Sequence, residues 1–370
     1  MSQDRQYPRV KDYVWIVPVS ATRSQVGTAP SKSVSIGIGV DRLRKILSLL
    51  DGQHPIQEIT QRVAENEGLD ALWLEALVAK LDEVGLLDYG ISQDVPPRFE
   101  RWRSQLNFFS MFTRGGVTAL DMQTSLSSKT VGVIGAGGIG CHALCALARA
   151  GVKKVVVVDY DTVSLSNLNR QILYGEADVG VPKCKAAVAK LREINPSIEP
   201  EGRCIKVLSE SDARRAVEGT DFVLCTADFP FTEVYRWVNL ACVRLGIPWM
   251  PASLGETIGT LGPLVAPRQT ACFECMEQHI RRHNSSHDFQ VQAFLQSEEG
   301  TESAYHDRSA TLGACVGVIG NLAAWEAIRF LTGLAQPVTA GRLLNINLLS
   351  MASRFEDVPR LSECPVCARR

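Results

Sequence analysis

The sequence predicts an α/β protein: a doubly wound, mainly parallel sheet, preceded by a smaller α+β module. Three observations carry this. From Lys129 onward, short apolar runs alternate with amphipathic segments in a strand–helix–strand rhythm. The first of these runs ends in a glycine frame, Gly135-x-Gly137-x-x-Gly140, which opens an Ala/Leu-rich segment. Residues 1–92 follow a different pattern, two short β-type runs and then three helical ones.

In chain order, Asp12–Val19 and Ser33–Val40 read as strands, joined by a connector rich in turn residues. Three amphipathic helices are expected at 41–50, 55–65 and 70–84. Leu43, Ile46, Leu47 and Leu50 recur at helical spacing, as do Leu74, Leu77, Val78 and Leu81. Two strands and three short helices describe a winged-helix-like module over 1–92. Pro96-Pro97 and the run RFERWRSQLNFF make 93–128 a linker leading into a helix. The domain 129–370 then has strand candidates at 130–134, 154–158, 203–207, 221–226 and 247–253. Helices lie between them at 139–150, 182–194, 211–218 and 231–245. A β excursion is expected over 257–265, a buried helix over 312–331 and a closing strand over 342–349. The polar stretch 279–309 reads as a long mobile loop.

The 370 residues suffice for two domains, and 45% hydrophobic with 21% charged content describes an ordinary globular chain. A formal net charge of -1 gives no bulk electrostatic case for nucleic acid or an anionic membrane. No run approaches 18 uninterrupted apolar residues and the N-terminus lacks an apolar signal core, so we expect a cytoplasmic protein with no membrane partner. Of eleven cysteines, four form two C-x-x-C pairs, Cys272/Cys275 and Cys364/Cys367. In a reducing compartment, four thiolates with no open position favour a structural zinc over disulfides.

The glycine frame, with Gly138 inside it, lets phosphate approach the backbone while a helix N-terminus supplies positive potential. Alone it would suggest a dinucleotide. The continuation changes that reading. Four valines lead to Asp159, then come Asn167, Arg170 and Gln171, and then Lys183. Arg170 and Lys183 suit the phosphates of ATP under attack. In a doubly wound sheet all of these, and Asp228 after a third strand, meet at the strand C-termini. Asp159 suits ribose hydroxyls, and Asp228 suits Mg²⁺, a hard cation that prefers carboxylate and water.

The motifs GAGGIG, VVVDYDTVSLSNLNRQ, VGVPKCKAA, INPSI and CTADFPF, followed by the cysteine pairs, resemble the ThiF/MoeB-type, ubiquitin-activating-like adenylating enzymes over residues 99–370. The resemblance implies ATP-dependent adenylation of a peptide or protein carboxylate. It assigns Asp159 to the ribose, Asn167, Arg170 and Lys183 to the phosphates, and Asp228 to Mg²⁺. It also implies a homodimer in which Arg103 crosses to the neighbouring subunit's ATP, with Arg101 as its local competitor. Relatives that pass the acyl group to a thiol place a cysteine in the polar loop, whereas 279–309 contains none. Cys184, Cys225 and Cys315 read as core residues. His279, His283 and His287 fall at i, i+4, i+8. We read them as a solvent-facing helix rather than a metal site. His306 and Arg308 suit substrate gating.

ILSLLDGQHPIQEITQRVAEN resembles the leader-binding modules of enzymes that modify ribosomally made peptides. Such modules add an extended peptide to a sheet edge, here 12–19 or 33–40. The chain as a whole resembles the adenylating enzymes of peptide antibiotic maturation, of the microcin C and pantocin types. The expected partner is a precursor peptide with its leader, activated at a C-terminal or a Glu/Asp carboxylate. An activated side chain could then cyclise. The alternatives are a sulfur-carrier adenylyltransferase and a non-catalytic leader-presenting scaffold.

Overall fold

The computed structural model describes residues 6–89, 95–113, 117–284, 286–297 and 310–368. It forms two compact units, Met1–Gln123 and Thr124–Arg370. The expected boundary at 92/93 lies outside the described residues.

In the first unit β1 (Pro8–Val10) pairs with β5 (Leu87–Tyr89), while β2 (Ile16–Ser20), β3 (Arg23–Ala29) and β4 (Lys32–Ile36) form an antiparallel sheet in that order. Helices α1 (Val40–Ser48), α2 (Ile56–Glu67) and α3 (Ala71–Glu83) bury Leu43, Ile46, Ile59, Val63, Leu74 and Leu81 against Val26 and Val34. Asp70 starts α3 by accepting the Trp73 N–H at 2.8 Å. The supposed connector between the first two strands contains β3, the central strand. Its Ser24 and Val26 alternate inward, fully buried, beneath a composition that reads as turn. Both segments expected as edges are therefore true edges, one on each side of β3. A 3₁₀ turn, Pro97–Trp102, leads into α4 (Arg103–Ser110), and α5 (Ala119–Leu126) follows.

The second unit holds β6 (Thr130–Ile134), β7 (Lys154–Val158), β8 (Glu199–Arg203), β9 (Phe222–Cys225) and β10 (Trp249–Gly255), which run parallel in the order β8-β7-β6-β9-β10. The strands β11 (Ile258–Leu261), β12 (Arg342–Asn347) and β13 (Ala352–Asp357) extend it antiparallel. The connecting helices are α6 (Gly138–Ala150), α7 (Lys183–Ile194), α8 (Glu210–Val217) and α9 (Glu233–Leu245). Beyond them lie α10 (Phe273–His283), α11 (His287–Gln296) and α12 (Gly313–Thr332). The direction of winding reverses between β6 and β9, and there a doubly wound sheet opens a crevice beyond its strand C-termini. The valines of β7 are buried because the sheet is covered on both faces.

Three expectations shift. Strand β8 lies four residues earlier than expected, at 199–203. Its register is set by pairing Lys154 with Glu199 and Val158 with Arg203, and an edge strand needs no apolar run. The stretch 279–309 is partly helical, because α10 and α11 occupy 273–296. The histidine spacing does not share one helix: α10 ends at His283 and α11 begins at His287. His306 and Arg308 lie outside the described residues. Helix α12 is apolar and 20 residues long, enough by length to cross a membrane. It is instead packed on α6, where a Cβ at Gly320 would meet the Ile139 carbonyl at 2.5 Å.

Candidate active site

The crevice is built first by glycine. Gly135 leaves β6 with φ +92, and a Cβ there would lie 2.7 Å from the Ala227 nitrogen at the end of β9. A Cβ at Gly140 would fall 1.9 Å from the Gly135 carbonyl, so α6 can start here only with glycine at that position. Gly137 is different: its Cβ direction meets only the Gln171 amide, at 4.0 Å. The described residues thus leave room beside the backbone at Gly137.

Asp159 ends β7, 8% exposed. It accepts the Ala136 N–H at 2.7 Å and the Asp161 N–H at 2.8 Å, so it holds the glycine loop from below. Burial pushes its carboxyl up, against the pull of Lys183 and of those two amides. Lys183 begins α7 and is buried. Its Nζ lies 3.0 Å from Asp161 Oδ2, and its N–H donates to the Asp161 carbonyl at 2.8 Å. Sequence reasoning overlooked Asp161 and Tyr174. The buried Tyr174 hydroxyl donates to the Ala136 carbonyl at 2.9 Å and lies 3.4 Å from the Lys183 carbonyl, which fastens the loop to the start of α7. The Asp-Tyr-Asp repeat around 159–161 was the available signal for the first. Nothing in the sequence marked the second.

Asn167 is buried, and its Oδ1 accepts the Ser164 N–H at 3.1 Å, so it caps its own turn. Arg170 is half-buried and bonds the Ser166 carbonyl at 2.9 Å and Asn169 Oδ1 at 3.0 Å. Gln171 is 3% exposed and its Oε1 is buried with no hydrogen-bond partner among the described residues. That orphaned acceptor faces a requirement a ligand can meet. The first turn of α12 closes this side: a Cβ at Gly138 would meet Val316 at 3.0 Å, and one at Gly313 would meet the Asn169 carbonyl at 2.7 Å.

Asp228 is exposed on the segment that follows β9, directly after the Ala227 that packs on Gly135. A single carboxylate there fits Mg²⁺, which keeps water and phosphate ligands. Arg103 belongs to the other unit. It opens α4 in the first unit, exposed, and forms a fork with Glu100 at 2.8 and 2.6 Å. Asp159, Gln171, Lys183 and the glycine loop are thus gathered by the fold, with Arg170 and Asp228 at the margin.

The second constellation is sulfur. Cys272, Cys275, Cys364 and Cys367 are buried, with all four sulfurs within 4.8 Å of one another. Neighbouring sulfurs stand 4.0, 3.7 and 3.5 Å apart. A zinc ion with Zn–S bonds of about 2.3 Å requires about 3.8 Å between sulfurs, so this donor set fits zinc. It ties the chain end to the start of α10. Elsewhere, burial pushes the Cys225 thiol up to about 12, which suits a core residue rather than a nucleophile. Cys184, expected as a free core thiol, is instead joined to Cys204 by a disulfide.

The ThiF family model matches residues 104–366, and the chain belongs to that family. It is 34% identical over 250 residues to the sulfur carrier protein ThiS adenylyltransferase of Escherichia coli K12, which covers 67% of this chain and 90% of that protein. It is 30% identical over 252 residues to the molybdopterin-synthase adenylyltransferase of the same strain, covering 67% and 91%. Among solved structures, E. coli MccB, a microcin C7 biosynthetic enzyme, superposes over 97% of this chain and 99% of its own. The TM-score is 0.77 at 21% identity, a likeness of fold.

Proposed function

We propose that this ThiF-family chain is an ATP-dependent adenylyltransferase acting on a carboxylate of a precursor peptide. The observation that carries the first half is the crevice itself. A glycine loop with room at Gly137, an orphaned acceptor on Gln171, a buried carboxylate on Asp159 and a buried cation on Lys183 converge where the winding reverses. In this reading Asp159 takes the ribose. Lys183 would leave Asp161 for phosphate and Arg170 would turn inward, while Asp228 would hold a Mg²⁺ whose charge would offset that of the phosphates.

The chemistry needs no general base, because a carboxylate is already ionised near neutral pH. Its oxygen attacks the α-phosphorus, the bond to the bridging oxygen breaks, and pyrophosphate leaves. Catalysis is alignment plus electrostatic stabilisation by the cations gathered around the phosphates. Arg103, from a second copy of the chain, would complete the cation set in a homodimer. Zinc at the four cysteines is structural.

Support for a peptide comes from the extra unit. The sulfur-carrier relatives align with 67% of the chain, whereas the MccB fold, solved also with N-formylated MccA, spans 97%. The first unit offers β2 and β4 as open edges for an added strand. Its helices and sheet we read as a winged-helix-like clamp for the leader. A sulfur-carrier substrate is the second reading, favoured by the 34% identity to a ThiS adenylyltransferase.

ATP–pyrophosphate exchange separates the two. With short peptides encoded beside the gene, exchange above background supports the first reading. Exchange only with a Gly-Gly-ended carrier protein supports the second. Tight leader binding with no exchange on any substrate leaves a presenting scaffold and sinks both.

A further inference from the structure

The Cys184–Cys204 bridge stands apart from the other nine cysteines, all of them unbridged. It joins two elements that flank Asp159. Cys184 is buried in the first turn of α7, immediately after Lys183. Cys204 is exposed immediately after β8, whose last residue, Arg203, accepts the Asp159 N–H on its carbonyl at 3.2 Å. The Cα atoms lie 6.0 Å apart, inside the range a disulfide spans without backbone movement. The two segments are in close backbone contact: a Cβ at Gly202 would lie 2.9 Å from the Cys184 carbonyl. Two residues on, Lys206 stacks over the Tyr160 ring at 4.6 Å.

We propose that Cys184 and Cys204 form a reversible thiol–disulfide site that sets nucleotide affinity in the neighbouring crevice. The thiol site stands on geometry alone. Its effect on nucleotide rests on the adenylation reading above. One sulfur is open to a reagent and the other is held in a helix's first turn, the arrangement for selective exchange. A thiolate of glutathione attacks the Cys204 sulfur and the S–S bond breaks. Cys184 leaves as a thiolate at the positive, N-terminal end of the α7 dipole, which favours negative charge, and it then takes a proton. A second glutathione thiolate attacks the glutathione sulfur of the mixed disulfide and releases Cys204. Two thiols have become one disulfide, and two electrons have reduced the bridge.

The consequence is local. Bridged, the first turn of α7 is tied to the end of β8, so Lys183, Asp161 and Asp159 are held in one arrangement before nucleotide arrives. Such preorganisation strengthens binding by removing ordering from the binding step. Reduced, the same turn is anchored only by hydrogen bonds and packing.

The test equilibrates the full-length protein in buffers of graded reduced and oxidised glutathione. Thiols are trapped with N-ethylmaleimide and counted by intact mass, and ATP affinity is measured calorimetrically in parallel samples. We expect two thiols to appear together as the buffer becomes reducing, and ATP to bind at least fivefold more weakly in the reduced protein. Cys204→Ser, an exposed substitution, should bind like the reduced protein in every buffer, and Cys204→Ala should match it. If both cysteines are alkylated even under fully oxidising glutathione, the thiol site is refuted. Affinity constant within twofold across the series removes the control of binding. A pair that cycles in a protein binding no ATP in either form overturns the adenylation reading and the affinity control with it, and leaves the thiol site standing.

Discussion

Replacing Lys183 by Met keeps the buried stem and removes only the cation. The Nζ lies 3.0 Å from Asp161 Oδ2, and the side chain is 8% exposed against 30% for Asp161. Loss of a buried ion-pair partner costs about 3–5 kcal/mol when the survivor stays buried. Asp161 can rehydrate, so we expect about 1–2 kcal/mol of stability lost. The chemical effect is larger. Lys183 is the main cation acting on Asp159, and on our reading it meets charge building on the phosphates. Removing one such preorganised donor costs about 2.7–4 kcal/mol of transition-state stabilisation, roughly 10²–10³ in rate. Peptide-dependent ATP–pyrophosphate exchange, measured well below the melting temperature and beside a circular-dichroism control, reads this directly. Exchange within threefold of the unsubstituted protein, in a folded Lys183→Met, would refute the role given to Lys183.

Further outcomes follow from the same geometry. One zinc per chain is expected by metal analysis. Cys364→Ser should lose it and melt about 10 °C lower, on the scale of about 3 kcal/mol for a unit this size; full stability without metal contradicts the zinc reading. Tyr174→Phe removes one buried hydrogen bond to Ala136 and should cost about 1 kcal/mol in denaturant unfolding. Burial holds the half-buried His142 below its ordinary value of 6.5, and its Nε2 has no hydrogen-bond partner among the described residues. The folded state therefore prefers the neutral ring. That contribution is complete above pH 6.5 and is lost as pH falls through the lower folded value. His142→Gln should flatten the acid limb of the melting profile, and an unchanged limb would assign it to other groups.

Much of the second unit was legible because its parallel strands are buried on both faces. Burial on both faces demands near-continuous apolar runs, and β6, β7 and β9 show them. Edge strands carry no such demand, so β8 lies four residues from where the apolar pattern puts it; β3, though central, buries only alternate residues such as Ser24 and Val26 and so reads as a connector. The clustering of the four cysteines was legible because their paired C-x-x-C spacing is the one metal ligation requires. The part of 279–309 that is helical reads as loop because α10 and α11 are polar helices, held partly by ion pairs such as Arg281 to Asp288 at 2.8 Å.

For the crevice, chain order alone was enough to bring the glycines, Asp159 and Asp228 to one end of the sheet. A strand–helix–strand alternation with right-handed crossovers leaves their loops nowhere else to go. Only the folded structure decided which side chains face inward. Arg170, prominent in the motif, bonds its own turn, while Gln171 is buried with an empty acceptor. Asp161 and Tyr174 emerge as the groups that position the loop and Lys183. The same holds for Cys184, a core thiol by its neighbours and a bridged one by its position. Motif spacing follows from backbone topology, which short-range pattern encodes. Side-chain partnership depends on contacts between residues far apart in the chain, and those exist only once the sheet is assembled.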